Sequence, residues 1–191
     1  MTNHTSGIRI VTDSTCDLPS EAIQAFGITV VPLTVLFGEE ELRDGVDITA
    51  EQFFRRLGRE KALPATAAPG PGVFRGVYER LVAEGATQIL SVHLSGKLSA
   101  TLESAKQGGA GLPVTHVDTL QVSLALGVCV LEAARAVQQG ATVEQAAAVA
   151  LDTARRTQIF FTLETLEYLR RGGRMSRGQE FFGSLLQIKP V

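Results

Sequence analysis

The segment Ile8-Arg9-Ile10-Val11-Thr12-Asp13-Ser14-Thr15-Cys16-Asp17-Leu18-Pro19 sets the pattern that the rest of the chain repeats. Residues 8–12 form a short, mostly apolar run with the length and branched side chains of a buried strand. A polar turn follows, and Pro19 suits the first position of a helix that stops at Gly27. Strand, turn and helix then recur. Residues 88–92 read as a strand and 98–107 as a helix; 113–117 read as a strand feeding a long helix over 120–139. A capping-box pair, Thr142 with Gln145, opens an alanine-rich helix to about residue 157. Residues 159–163 read as a further strand, and 165–171 as a helix closed by Gly172 and Gly173.

Two stretches interrupt this alternation. Residues 28–37 look extended, but Pro32 withholds one ladder hydrogen bond, which places the run at an edge or a bulge, with a turn at 38–40 and a meander toward Gly45. A second capping box, Thr49 with Gln52, starts a helix ending at Gly58. Residues 63–72, with Pro64, Pro69 and Pro71, read as a loop leading into a helix over 73–83. Parallel neighbours need crossover connections, usually helical. The expected fold class is therefore α/β, a mostly parallel sheet with helices on both faces and ligands at the carboxyl ends of its strands.

Composition narrows the function classes. The chain has 191 residues, 45% hydrophobic and 20% charged, with a formal net charge of -2, so it lacks the electrostatic footprint of a nucleic-acid binder or a polybasic membrane protein. The longest apolar stretch, 120–131, is interrupted by Gln121 and Ser123 and closed by Glu132, too short for a membrane span. Two cysteines do not make a disulfide framework, and the start of the chain does not read as a secretory signal. The expected location is cytoplasmic. No metal-ligand spacing is present, and no metal or cofactor is expected.

Three expected strand ends carry small polar residues: Asp13 to Cys16, then Ser95, Gly96, Lys97 and Ser99, then Asp118 and Thr119. A hydroxyl beside a glycine before a helix suits an anion, because free backbone N–H groups and the helix dipole favour negative charge there. Ser95 and Gly96 fit this best; the alternative is that Ser95 merely caps the next helix. Gly70-Pro71-Gly72 lacks the lysine and hydroxyl of a phosphate loop and reads as a stiffened turn. Arg170, Arg171, Arg174 and Arg177 form the densest basic stretch, either a solvated face or a docking surface for an acidic or phosphorylated partner. Cys16 with His93 across a crevice is the arrangement a cysteine hydrolase would need, whereas an unpaired buried cysteine is commonly inert; His116 is the other candidate base.

The same residues resemble the DegV family of bacterial fatty-acid-binding proteins. Val11 to Pro19 is similar to that family's opening motif, and Val31-Pro32-Leu33 with Phe37-Gly38 and Arg43 to Asp47 to its second. Leu94-Ser95-Gly96 with Ser104-Ala105, then Asp118-Thr119, then Leu166 to Leu169 through Gly172-Gly173-Arg174 continue the series in the family's order. The resemblance implies a carrier, not an enzyme, that encloses one long-chain fatty acid and presents its carboxyl group to a separate fatty acid kinase. It maps the carboxyl contacts onto Ser95, within the Leu-Ser-Gly motif, and Thr66, and the kinase contact onto Arg174. The loop here reads Thr66-Ala67-Ala68-Pro69-Gly70 where the family usually has Thr-Ser-Gln-Pro-Ser, and Lys97 stands where it usually has threonine. The alternatives are an enzyme using the same crevice, as a cysteine hydrolase or a phosphoryl-transfer subunit, and a ligand-free regulatory protein.

Family members run on for roughly another domain half. The expected organisation is an N-terminal α/β domain over 1–157 and the start of an incomplete second domain over 158–191, as in a fragment or a truncated gene product. An acyl tunnel open on one side exposes core surface. The 191-residue chain is therefore expected to bind lipid weakly and to self-associate through that face. Size-exclusion chromatography with light scattering checks this, and a monodisperse monomer carrying tightly bound fatty acid contradicts it.

Overall fold

A computed structural model describes residues 7–60, 63–160 and 167–174. Four strands, β1 (Ile8–Asp13), β2 (Thr29–Val31), β6 (Gln88–His93) and β7 (Val114–Asp118), form one sheet in the order β2-β1-β6-β7, every pair parallel. A second, antiparallel sheet has the order β4-β3-β5, from β3 (Thr34–Phe37), β4 (Glu40–Arg43) and β5 (Ala65–Ala67). The helices are α1 (Ser20–Phe26), α2 (Ala50–Leu57), α3 (Pro71–Ala83), α4 (Thr101–Gly108), α5 (Leu124–Gln138), α6 (Val143–Arg156) and α7 (Glu167–Arg171).

Side-chain alternation along the parallel strands builds two cores. Ile8, Ile10, Leu90, Val92 and Val117 face one way, against Leu126, Val130 and Ala133 of α5 and Val143, Ala146 and Ala150 of α6, with Ile23 and Phe26 of α1 alongside. Val11, Val31 and Ile89 face the other way, against Phe74, Tyr78 and Leu81 of α3 and Ala105 of α4. The expected parallel sheet with helices on both faces is the fold. A smaller cluster of Val35, Phe37 and Ile48, joined by Leu42 and Phe53, holds α2 on the antiparallel sheet. Both expected capping boxes are formed, with Thr49 and Thr142 accepting from the Gln52 and Gln145 N–H groups.

The winding direction reverses at the β1/β6 pair. From β1 the chain crosses through α1 to β2 on one side; it returns through the small sheet and α3 to β6 on the other. In open α/β sheets that reversal opens a crevice at the carboxyl ends of the two strands.

Several boundaries differ from expectation. The run 28–37 is not one strand. Pro32 and Leu33 turn the chain out of the parallel sheet, so β2 and β3 belong to different sheets. The stretch 63–72, expected to be loop, contains β5, an edge strand lying between Pro64 and Pro69 where the missing proline N–H groups interrupt no ladder. Helix α3 begins at Pro71 rather than residue 73. The expected helices from 98 and 120 begin at Thr101 and Leu124, because side chains of the preceding loops bond their own backbone instead of continuing the helix. Ile159 and Phe160 are not in a strand, and 161–163 lie outside the described residues. So do 164–166 and 175–191, and the residues outside the description together make up most of the expected second domain.

Helix α5 comes close to the turn after β1. A Cβ added at Gly127 would lie 2.5 Å from the Cys16 carbonyl oxygen and 2.9 Å from Leu18 Cδ2. Gly127→Ala is therefore expected to lower unfolding free energy by about 1–3 kcal/mol through overpacking. Urea denaturation checks it, and an unchanged midpoint would refute the contact.

Candidate functional site

Asp13 ends β1 with its side chain fully buried. As a buried carboxylate it needs donors, and four are supplied. Oδ1 accepts from the Thr15 N–H (3.1 Å) and the Thr15 hydroxyl (2.6 Å). Oδ2 accepts from the His93 Nδ1–H (2.9 Å) and the Leu94 N–H (3.2 Å). The proton on Nδ1 leaves His93 Nε2 as an acceptor, which the Ser91 hydroxyl meets at 2.7 Å; Ser91 Oγ in turn accepts from the Tyr78 phenol at 2.7 Å. A neutral imidazole satisfies every member of this chain. Burial pushes the Tyr78 phenol up to about 12, opposed in part by its bond to Ser91, so Tyr78 stays a donor. Phe74 covers His93 edge-on at 5.3 Å between centroids.

Ser95 lies two residues beyond β6 and is fully buried. Its N–H donates to the Gln121 carbonyl (2.9 Å), and its Oγ accepts from the Lys97 N–H (3.2 Å). Helix α4 has Ala100 at its N-cap, so Ser95 does not cap it. The Gly96 N–H donates to both oxygens of Asp118 at 3.3 Å, and the same carboxylate accepts from the Leu120 N–H at 2.9 Å. Thr119 ties β7 back to β6 through its hydroxyl on the His93 carbonyl at 2.9 Å. Gln121 donates to the carbonyls of Ala154 and Thr157 at the end of α6. Three non-glycine residues here have left-handed backbones: Asp17 (φ 50°), Leu120 (φ 52°) and Ser123 (φ 57°). The Ser123 hydroxyl donates to Asp17 Oδ2 at 2.6 Å, joining two of the strained positions.

Thr66 is exposed, at the middle of β5, paired with Val35 of β3. No hydrogen bond joins it to Ser95. Thr66 is in the antiparallel sheet and Ser95 in a loop at the end of the parallel one, and the turn after β1 bonds toward both: Ser14 Oγ accepts from the Leu33 N–H at 3.1 Å, at the point where the chain passes from β2 to β3. Arg174 follows the Gly172-Gly173 stop of α7, where the Gly173 N–H donates to the Arg170 carbonyl and the Arg174 N–H to that of Leu169. Its guanidinium donates to the carbonyls of Gly172 (2.7 Å) and Leu98 (3.5 Å), which brings it to the loop that carries Ser95. Of the other basic residues, Arg171 pairs with Glu167, and Arg177 lies outside the described residues.

The hydrolase arrangement does not form. Both ring nitrogens of His93 are taken up by Asp13 and Ser91, and neither faces Cys16. Burial pushes the Cys16 thiol up to about 11, helped by the charges of Asp13 and Asp17, the reverse of an activated nucleophile. Ser91, His93 and Asp13 do sit at the distances of a nucleophile–base–acid triad, but the Ser91 hydroxyl is held between His93 and Tyr78 inside the sheet, so its bonding is spent within the core. His116 donates to the Ala105 carbonyl at 3.0 Å, and burial holds its pKa below the ordinary range. Gly70 and Pro71 form the start of α3 rather than a phosphate loop. Among the described residues no group of three or more side chains can hold a metal ion, and no helix is long and apolar enough to cross a membrane.

The Asp13–His93–Ser91–Tyr78 chain went unseen in the sequence. Its signal was present in β6, where Ser91 and His93 fall on one face of an otherwise apolar run, two residues apart, as Asp13 does at the end of β1.

A reversed-winding α/β sheet whose strand-end loops carry hydrogen-bonded hydroxyls and carboxylates defines the class of this protein. The model of the family described as "Uncharacterised protein, DegV family" matches residues 7–191, and the chain belongs to the DegV family. A DegV domain-containing protein of Streptomyces coelicolor is 41% identical over 186 residues, 96% of this chain and 66% of its own length. Several solved structures are similar, two of them as follows. A DegV family protein from Thermus thermophilus, described for its fatty acid binding, is 39% identical with a TM-score of 0.80 over 94% of this chain and 65% of its own. DegV from Bacillus subtilis, described as a fatty acid binding protein, is 30% identical with a TM-score of 0.86 over 97% and 67%. The chain thus spans about two thirds of the length of the curated relatives it matches.

Burial also raises the Cys129 thiol to about 11. Neither thiol should react with iodoacetamide at pH 8 while the protein is folded. The folded state keeps thiol protons that unfolded thiols lose near 9, so stability is full below that pH and falls as pH rises from about 9 to about 11. Rapid alkylation of the folded protein, or urea midpoints flat across that window, would contradict the burial.

Proposed function

We propose that this chain binds a long-chain fatty acid, with Ser95 and Thr66 meeting its carboxyl group, and presents that group to a separate fatty acid kinase that docks at Arg174. The observation that carries the reading is the place of Ser95, on the loop beyond β6 at the winding reversal, beside the polar turn whose Ser14 accepts the Leu33 N–H at the start of the sheet carrying Thr66. The fatty acid binding of the Thermus and Bacillus relatives supports it.

The chemistry favours a carrier over a catalyst. Burying an acyl tail contributes about 0.8 kcal/mol per CH₂, or roughly 10 kcal/mol for a long chain, so the tail can supply the affinity and the hydroxyls need only orient the head. Hydroxyl donors hold a carboxylate less tightly than a bidentate arginine, leaving an oxygen for phosphoryl transfer by the partner. Gly96 contributes less directly than its position beside Ser95 suggests, since Asp118 already takes its N–H. The Arg174 guanidinium donates to the Leu98 carbonyl, on the loop that carries Ser95, which supports a docking point near the head group. We assign residues 1–157 to the N-terminal α/β domain and 158–191 to the start of a second. Two free cysteines, Cys16 and Cys129, suit a reducing compartment, and we place the protein in the cytoplasm.

Extraction of the purified protein with organic solvent, followed by mass spectrometry, is expected to release fatty acid. Ser95→Ala is expected to lower carboxylate affinity about tenfold, while Cys16→Ala leaves it unchanged. A protein that yields no fatty acid and takes up none when supplied would sink the carrier reading.

A further inference from the structure

Of the two residues expected to meet the carboxyl group, Ser95 follows a strand of the parallel sheet and Thr66 is in the antiparallel one, with no hydrogen bond between them, so something else must set their spacing. One short turn touches both supports. Asp13 Oδ2 accepts the Leu94 N–H, the backbone group next to Ser95, and holds β6 again through His93. One residue later, Ser14 Oγ accepts the Leu33 N–H at the crossing into β3. On its other side the Leu33 carbonyl accepts from the Asp44 N–H at 2.9 Å, and β3 pairs Val35 with Thr66. Thr15 closes the turn with two bonds to Asp13 Oδ1. The turn is a single 3-10 turn, Ser14–Cys16, ending at the left-handed Asp17.

We propose that the Asp13–Ser14–Thr15 turn is the positioning element of the head-group site, setting the spacing of Ser95 and Thr66 by holding the Ser95 loop through Asp13 and the Thr66 sheet through Ser14. This rests on the reading of Ser95 and Thr66 as the carboxyl contacts. The bonds that matter go to backbone N–H groups, so the turn acts through the two hydroxyls rather than on the ligand. Asp13 is the firmer half, because a carboxylate with four donors in a fully buried site has no alternative geometry of similar energy. Ser14 is the softer half, a single neutral bond at a half-buried junction between sheets. Losing it frees the small sheet to shift without disturbing either core of the parallel sheet.

The test separates the head from the tail. Binding of myristic acid and of tetradecan-1-ol is measured by calorimetry for the wild-type chain, Ser14→Ala, Ser14→Thr and Asp13→Asn. The two ligands share a tail, so the ratio of their affinities reads the carboxyl contacts alone. Ser14→Ala is expected to cut the preference for the acid about tenfold while changing alcohol affinity by less than about twofold, and Ser14→Thr, which keeps the hydroxyl, to restore it. Asp13→Asn places amide protons against donors and should abolish the preference if the protein folds; if it does not, the serine pair decides. A Ser14→Ala protein that keeps the wild-type preference, or that loses acid and alcohol equally, overturns the proposal. A wild-type chain that binds both ligands without preferring the acid overturns the head-group reading and the proposal with it, whereas wild-type preference with an indifferent Ser14→Ala overturns the proposal alone.

Discussion

The structure depends on one buried carboxylate. Asp13 lies where the parallel sheet reverses its winding, fully enclosed, and all four of its hydrogen bonds come from the ends of β1 and β6. Stripped of water, such a group is tolerated only when every lone pair is met. That requirement locks the His93 tautomer, draws Ser91 and Tyr78 into line beneath it, and holds the Leu94 backbone in place. The strand-end loops are therefore rigid where the core would otherwise end and solvent begin.

Rigidity at that point passes to the neighbouring loops. Asp118 at the end of β7 performs on the Gly96 and Leu120 N–H groups what Asp13 performs on those of Thr15 and Leu94. Thr119 and Gln121 bind the same loop to β6 and to the end of α6. The left-handed Leu120 and Ser123 persist because these bonds over-determine the backbone between them. The result is a set of strand-end loops tied by hydrogen bonds to one another, to β6 and to the end of α6. His93 and Ser91 are spent within that network and the Cys16 thiol is pushed up by burial, so the cysteine-hydrolase arrangement does not form.

The parallel strands and their helices were legible because each carries its own local signal. Residues 8–12, 88–92 and 113–117 are short branched runs, and the Thr49/Gln52 and Thr142/Gln145 caps form as their spacing implies. Where the reading fell short, the deciding partner was distant in sequence. Ala65–Ala67 became a strand only because β3 offered an open edge, and nothing in Pro-Ala-Thr-Ala-Ala-Pro announces that. Residues 28–37 were split by Pro32 and Leu33 because Ser14, far away in the chain, takes the Leu33 N–H. The helices expected from 98 and 120 start late for a local reason that spacing hides, the preference of Ser95, Asp118 and Thr119 for bonding nearby backbone.

By itself the sequence determined the class of fold, the placing of polar residues at strand ends and the family, since periodicity and short motifs are properties of neighbouring residues. Tertiary structure alone decided which of those polar groups are free. Ser95, Gly96, His93 and Cys16 look equally available as letters. Once folded, His93 is held between Asp13 and Ser91, Gly96 is bound to Asp118, and Cys16 is buried and protonated, because each lies beside a group contributed by another strand or loop. Which hydrogen-bonding capacity remains for a ligand is settled by those distant contacts, and no local pattern encodes them.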